Sequence, residues 1–304
     1  MTPVPLALIG AGRMGRMHLQ ALADSDVLDI VTIVEPSEAA RAAAAAIDSR
    51  PTVHAELDRA LDAGGFAGVM IVAPTPLHPT LVATCAERGL PILCEKPCGS
   101  SLAEIDAAAA AVRDADVMLQ IGYWRRFVPE LVTLRERVLG GEFGDVLQVV
   151  CFQWDGEPPG DAFRAASGGI VVDMGVHELD QIRWLTDSDL RDSACVAAAG
   201  PIQGDVDCAN VTLELERGGV AVVSLGRYFP QGDVVWLELM GTRDHARVEI
   251  LWGEGKTWHA ALRAQAEDFA RCISTGEPSR GAAAADARRT LELAANVQAL
   301  LQSA

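Results

Sequence analysis

The sequence predicts an α/β chain in two parts: a parallel sheet flanked by helices over residues 1–122, and an α+β domain with a mostly antiparallel sheet over 123–304. Three observations carry that expectation. The chain has 304 residues, and at about 150 residues per domain such a length suggests two domains. Up to Tyr123, apolar runs of strand length alternate with helical patterns, which implies right-handed crossovers and a parallel sheet. Beyond it, strand runs mostly follow one another without helices between them, as in an antiparallel sheet.

"VPLALIG" opens the chain as an apolar strand and runs into "AGRMGRMHLQAL", where Met14, Met17, Leu19 and Leu22 give a helical pattern. Between strand and helix lies Gly10-x-Gly12-x-x-Gly15. Each glycine has a separate physical task there. The first permits a tight turn, the second lets a pyrophosphate approach the backbone, and the third lets helix and strand pack closely. The phosphates then meet the positive end of the helix. This is the pattern of a Rossmann dinucleotide-binding domain, with Gly10, Gly12, Arg13, Met14 and Gly15 lining the cofactor. The next strand, "DIVTIVE", ends at Glu35. An acid there accepts hydrogen bonds from ribose hydroxyls and repels a 2′-phosphate. NAD is therefore expected in preference to NADP, although Ser37 and Arg41 close by could soften the preference.

The Ala-rich run 39–46 suits a helix. "GVMIVAP", "LPILCEKP" and "VMLQIGY" read as further strands, separated by helices in "LHPTLVATCAERG" and "SLAEIDAAAAAVRDA". Ligands sit at the carboxyl ends of such strands. Ala73, Thr75, His78, Glu95 and Lys96 should therefore face the cofactor, with His78 as readily a helix-entry residue as a contact. Lys96 stands out because only it and Lys256 are lysines among the 25 basic residues. Pro97 biases it towards extended geometry. An ammonium at that edge could bind an oxygen developing alkoxide character, and unlike arginine it can shift its pKa when desolvated.

In the second half, "RRFVPELVTLRERVLGG" is a helix with a glycine stop. "VLQVVCFQW", "ACVAAAG", "CANVTLELE", "GVAVVSLGRYF", "VVWLELMG" and "ARVEILWG" are strands, with "ERGG" as a hairpin signal. Residues 260–275 and 282–302 are helical. The segment "ASGGIVVDMGVHELDQIRWL" places Asp173, His177 and Asp180 at i, i+4 and i+7, one face of a helix. That set can handle protons, though a solvated face with an incidental histidine has the same spacing. Oxidation of an alcohol needs a base near neutrality, for which histidine is the natural candidate. Asp173, one turn away, could bind a substrate hydroxyl or orient the imidazole.

A net charge of −17 argues against a nucleic-acid or anionic-membrane partner, since phosphate binding needs a basic surface. No basic leader precedes the first strand and no apolar run approaches about 18 residues, so no signal peptide or membrane span is expected. The seven cysteines are scattered, without zinc-knuckle spacing, and read as reduced thiols of a cytoplasmic protein with no metal.

The ordered set "GAGRMGRMH", "APTPLH", "CEKP", "IGYWRRF" and "SGGIVVDMGVHELDQIRWL" resembles the Gfo/Idh/MocA oxidoreductases over nearly the whole chain. The resemblance implies that Lys96 and His177 are catalytic, His177 as acid/base with Asp173 as its partner, and that Arg126 lies on the cofactor side. The Ser-Gly-Gly segment is most similar to the inositol dehydrogenase branch, which oxidises a ring hydroxyl of a cyclitol to the ketone. Lys96, Asp173 and His177 would then contact the substrate, joined by Trp124, Arg164 and Tyr228. Asp155 and Asp161 are further candidates, with plain surface charge as the alternative. An aldose or keto-sugar dehydrogenase would use the same residues. A non-enzymatic dinucleotide-sensing regulator predicts loss of the lysine or histidine, and both are present. An NAD-dependent glycosidase is a third reading. The expected partners are a small polyol or sugar and further copies of the chain, a dimer or tetramer formed through the C-terminal sheet.

Overall fold

A computed structural model of the chain describes residues 2–201, 206–252 and 257–303. They divide into two compact units, Met1–Phe127 with His259–Arg288, and Val128–Trp258 with Arg289–Ala304.

The first unit begins β1 (Val4–Ile9), α1 (Arg13–Leu22), β2 (Leu28–Val34) and α2 (Glu38–Ala45). It continues through β3 (Thr52–His54), α3 (Leu57–Ala63), β4 (Gly68–Ile71), α4 (His78–Glu87), β5 (Ile92–Cys94), α5 (Leu102–Asp114) and β6 (Leu119–Ile121). The six strands form one sheet in the order β3-β2-β1-β4-β5-β6, every neighbouring pair parallel. This is the doubly wound order in which ligands bind outside the carboxyl ends of the strands. Local sequence explains several boundaries. Ser37 caps α2 by accepting from the Ala40 N–H. Ser101 caps α5 by accepting from the Glu104 N–H, while Glu104 reaches back to the Ser100 N–H.

Leu6, Leu8, Ile33, Met70 and Leu93 from the strands pack with Leu19 and Leu22 of α1. Ala266, Phe269 and Ala270 complete that core; they come from α9 (Thr257–Thr275), near the end of the chain. Gly68 is packed so tightly that a Cβ there would lie 2.7 Å from Ile273. The units are thus discontinuous in sequence, where a single break at 122/123 was expected. An apolar helical face shows that a helix packs, and the sequence does not say on which sheet.

The second unit opens with α6 (Pro129–Leu139), β7 (Val146–Trp154), α7 (Asp161–Ala166) and α8 (Val176–Thr186). It goes on through β8 (Leu190–Pro201), β9 (Val206–Leu215), β10 (Val220–Gly226), β11 (Val234–Gly241) and β12 (His245–Trp252). The chain closes with α9 (Thr257–Thr275) and α10 (Ala284–Ser303). The sheet order is β12-β11-β7-β10-β9-β8, antiparallel except where β7 meets β10. The expected mostly antiparallel sheet is therefore present. Along the strands burial alternates with the pleat: Cys151, Val223 and Leu237 are buried, whereas Phe152, Trp154 and Trp236 on the other face are half-buried. No described helix is long and apolar enough to cross a membrane.

Candidate active site

The carboxyl end of β1 runs into the glycine turn. Gly10 has φ +102°, and a Cβ on it would lie 2.7 Å from the Val72 carbonyl oxygen. A Cβ on Gly15 would lie 2.2 Å from the Gly10 carbonyl oxygen. Chain therefore meets chain at the first and third glycines. Gly12 differs, because a Cβ there has no atom within 4 Å. Its surface is open, as a close-approaching pyrophosphate requires. Gly12 is also the N-cap of α1 and supplies no side-chain cap, which leaves the positive helix end for an anion. Arg13 is exposed, whereas Met14 packs against the core.

Glu35 stands directly beside this turn. Its Oε2 accepts from the Ala11 N–H and its Oε1 from the Ser37 N–H, both at 2.8 Å. Each oxygen keeps lone pairs for a ribose hydroxyl. Arg41 donates from Nη1 to the carbonyls of Glu35 at 2.9 Å and Pro36 at 2.7 Å, and Ser37 caps α2. The two residues that could have softened the NAD preference are thus engaged with main chain. An open glycine, a free helix end and an anchored acid fit an NAD dinucleotide.

Ala73 and Thr75 follow β4 and are half-buried at its carboxyl end. His78 corrects the expectation of a cofactor contact. It is 1% exposed, with Nε2 2.7 Å from the Ala73 carbonyl and Nδ1 2.8 Å from the Pro97 carbonyl. It ties two strand-end turns together. Glu95 likewise turns inward, its Oε1 2.8 Å from Nε2 of His18. Lys96 follows it, half-buried, with a cis bond to Pro97. Arg126 is buried and donates to Asp286 at 3.3 Å, and Trp124 is buried beneath the Arg125 guanidinium, 5.6 Å from the ring centre.

In the second unit, the Ser-Gly-Gly turn leads into a π-helical turn, Val171–Gly175, before α8. Asp173 lies in that turn, and His177 and Asp180 lie in α8. The straight face at i, i+4 and i+7 is thus interrupted: the wider turn changes where Asp173 stands relative to the other two. Single π turns inside α-helices occur frequently at functional sites. Gln298 of α10 anchors the start of the segment by accepting from the Val171 N–H at 3.0 Å. His177 is half-buried; Asp180 is fully buried.

Two residues that sequence reasoning passed over organise this half. Arg227, 0% exposed, donates from Nη2 to Oδ2 of Asp173 at 3.4 Å. Asp207 of β9 takes the Arg164 guanidinium at 2.6 Å and, through its carbonyl, the Arg227 N–H at 3.0 Å. Arg164, expected on a substrate hydroxyl, is therefore buried in an ion pair. The only hint in the sequence was Arg227 standing beside Tyr228, a residue already singled out. Tyr228 itself is 40% exposed. Asp155 is half-buried, Asp161 exposed, and Lys256 lies outside the described residues. Among the described residues no group of three or more His, Cys, Asp and Glu side chains is placed to hold a metal ion.

Comparison with known proteins agrees with this geometry. Residues 4–123 match a family model described as an oxidoreductase family with an NAD-binding Rossmann fold, and residues 131–247 match the GFO/IDH/MocA C-terminal domain. The rhizopine catabolism protein MocA of Rhizobium meliloti is 42% identical over 99% of this chain and 96% of its own length. The scyllo-inositol 2-dehydrogenase (NAD(+)) of Bacillus subtilis (strain 168) is 29% identical over 90% of this chain and 87% of its own. The crystal structure of a myo-inositol dehydrogenase from Corynebacterium glutamicum ATCC 13032 superposes with a TM-score of 0.89 at 25% identity, covering 99% of this chain and 97% of that one. With both halves matched in order and the dinucleotide cradle in place, the chain belongs to the GFO/IDH/MocA family of oxidoreductases.

Proposed function

We propose that the chain is an NAD-dependent dehydrogenase that oxidises a ring hydroxyl of a cyclitol to the ketone. The observation that carries this reading is the anchored Glu35 beside an open Gly12, in a chain whose relatives include a scyllo-inositol 2-dehydrogenase. NAD, when bound, supplies the oxidant. Lys96 binds the substrate's hydroxyl oxygen and stabilises it as negative charge develops. His177 takes the hydroxyl proton as general base. Asp173, ion-paired with Arg227, accepts from a substrate hydroxyl or orients the imidazole. Arg126, Thr75 and Ala73 border the cofactor, and Trp124 and Tyr228 border the substrate.

The 42% identical relative is named for rhizopine catabolism, so a rhizopine is the second candidate substrate, and aldoses remain the third. Initial rates with scyllo-inositol, myo-inositol, a rhizopine and a set of aldoses, each with NAD and with NADP, test the assignment through the absorbance of the reduced cofactor. An inositol with NAD should give the highest kcat/KM. Preference for an aldose or for NADP would overturn the reading.

The protein is proposed to work in the cytoplasm as a homo-oligomer. Its support is the half-buried face of the second sheet, where Phe152 stacks on Trp154 at 5.6 Å and on Trp236 at 5.2 Å, and Arg247 covers Trp236 at 4.2 Å. A half-buried aromatic face of this kind is suited to packing against a second copy of the chain. Light scattering should give a dimer or tetramer that Trp236→Glu dissociates; a monomeric parent protein would refute it.

A further inference from the structure

The turn that carries Lys96 has no regular secondary structure, yet it is held on both flanks of the lysine. On the side preceding it, His18 of α1 is 1% exposed and sets Nε2 2.8 Å from Glu95 Oε1. No described residue hydrogen-bonds Nδ1 of His18. A carboxylate only accepts, so Nε2 carries the shared proton. The other carboxylate oxygen of Glu95, Oε2, then accepts from the main-chain N–H of Lys96 itself at 3.2 Å. Gly122 lies against this carboxylate, so closely that a Cβ on it would come within 2.9 Å of Oε2. On the following flank, the Pro97 carbonyl faces His78 Nδ1. A chain of contacts thus runs from α1, which opens at the dinucleotide turn, through an imidazole and a carboxylate to the Lys96 amide.

We propose that His18 and Glu95 are positioning residues for Lys96: the imidazole fixes the carboxylate, the carboxylate fixes the Lys96 amide, and the ammonium is delivered to one place. This rests on the reading of Lys96 as the group that binds the reacting oxygen. A surface turn held only by its backbone would let a long lysine side chain wander, and a misplacement of about 1 Å costs up to about 100-fold in rate. His18 is distant from Lys96 in sequence and Glu95 adjoins it, and neither needs to touch the substrate for this role.

The test is a double-mutant cycle on the full-length enzyme with saturating cyclitol and NAD, together with NAD titration of each variant. His18→Leu removes the donor and keeps an apolar body. It should lower kcat roughly 10- to 100-fold while NAD affinity changes by less than about threefold. His18→Gln, which can present an amide N–H near the place of Nε2, should recover most of the loss. In a Lys96→Ala background the His18→Leu substitution should cost less than about twofold more, since no ammonium remains to be aimed. Where His18→Leu does not yield folded protein, Glu95→Gln carries the same cycle, because it keeps the volume but offers one carbonyl acceptor to two donors. Turnover within about twofold of the parent in a folded His18→Leu or Glu95→Gln variant, losses that multiply in the double variant, or no recovery with His18→Gln would each overturn the proposal. Lys96→Ala with parental turnover would overturn the catalytic reading of Lys96 itself, an outcome read from that single variant.

Discussion

Gly12→Ala and Gly15→Ala add the same methyl group three residues apart and should fail in opposite ways. At Gly15 the new Cβ would lie 2.2 Å from the Gly10 carbonyl oxygen. The obstacle is main chain, so the β1–α1 turn must move by roughly 1 Å to restore ordinary contact. Overpacking of that kind costs about 1–3 kcal/mol. The gain of about 1 kcal/mol in helix propensity offsets part of the upper figure. A net loss near 2 kcal/mol corresponds to a fall of about 4–8 °C in Tm. At Gly12 the methyl meets nothing within 4 Å. Its cost to the fold is that of alanine at an N-cap, less than about 1 kcal/mol. It does stand where the pyrophosphate must approach, and losing one charge-assisted hydrogen bond is worth about 1.5–3 kcal/mol, or roughly 10- to 100-fold in the Kd for NAD. Thermal melting and calorimetric titration with NAD read the two effects separately. Gly12→Ala that binds NAD within about threefold of the parent would refute the open-cradle argument, as would a melting loss equal to that of Gly15→Ala.

For the parent enzyme, the logarithm of kcat/KM for oxidation should rise with pH and level off as the His177 imidazole loses its proton; His177→Asn should abolish both that ionisation and most of the activity, and an unchanged profile would place the base elsewhere. Burial opposes ionisation of Asp268, but hydrogen bonds from Arg271 and Arg280, with the Arg280 N–H and Ser279, outweigh it and hold the carboxyl below its usual range. A carboxyl lowered on folding contributes stability above its unfolded pKa and loses it as pH falls through the folded value. Asp268→Asn should therefore cost about 1–3 kcal/mol at neutral pH, a gap that closes in strong acid. Urea unfolding at both pH values checks it, and a gap that stays constant would refute it. Cys195 is exposed, whereas burial pushes the Cys85 thiol up to about 12 and Cys94 well above the thiol range. Thiol titration of the native protein should show a fast phase that Cys195→Ser diminishes, with half-buried Cys208 reacting more slowly; a fast phase unchanged by that substitution would contradict the exposure of Cys195.

The sequence by itself determined the parts whose physics is local. Gly10, Gly12 and Gly15 announced the turn, in which main chain leaves no room for a Cβ at the first and third, and Glu35 announced its place beside that turn by following the second strand. The period of two in "VLQVVCFQW" and the Gly218-Gly219 turn, both residues at positive φ, made the second sheet legible in the same way. Short exposed elements were not legible: β3 spans three residues, none of them buried, and has no apolar pattern to read. Tertiary structure alone decided the partners of buried polar groups. His18 finds Glu95 across 77 residues and Arg227 finds Asp173 across 54. It also removed Arg164 and His78 from the expected ligand contacts, inserted the π turn beneath Asp173, and returned α9 to the first sheet. The reason is physical. A side-chain pattern states which face of an element avoids water, but a buried charge or imidazole is satisfied by whatever the packed fold brings within hydrogen-bond reach, and that is a property of the whole chain.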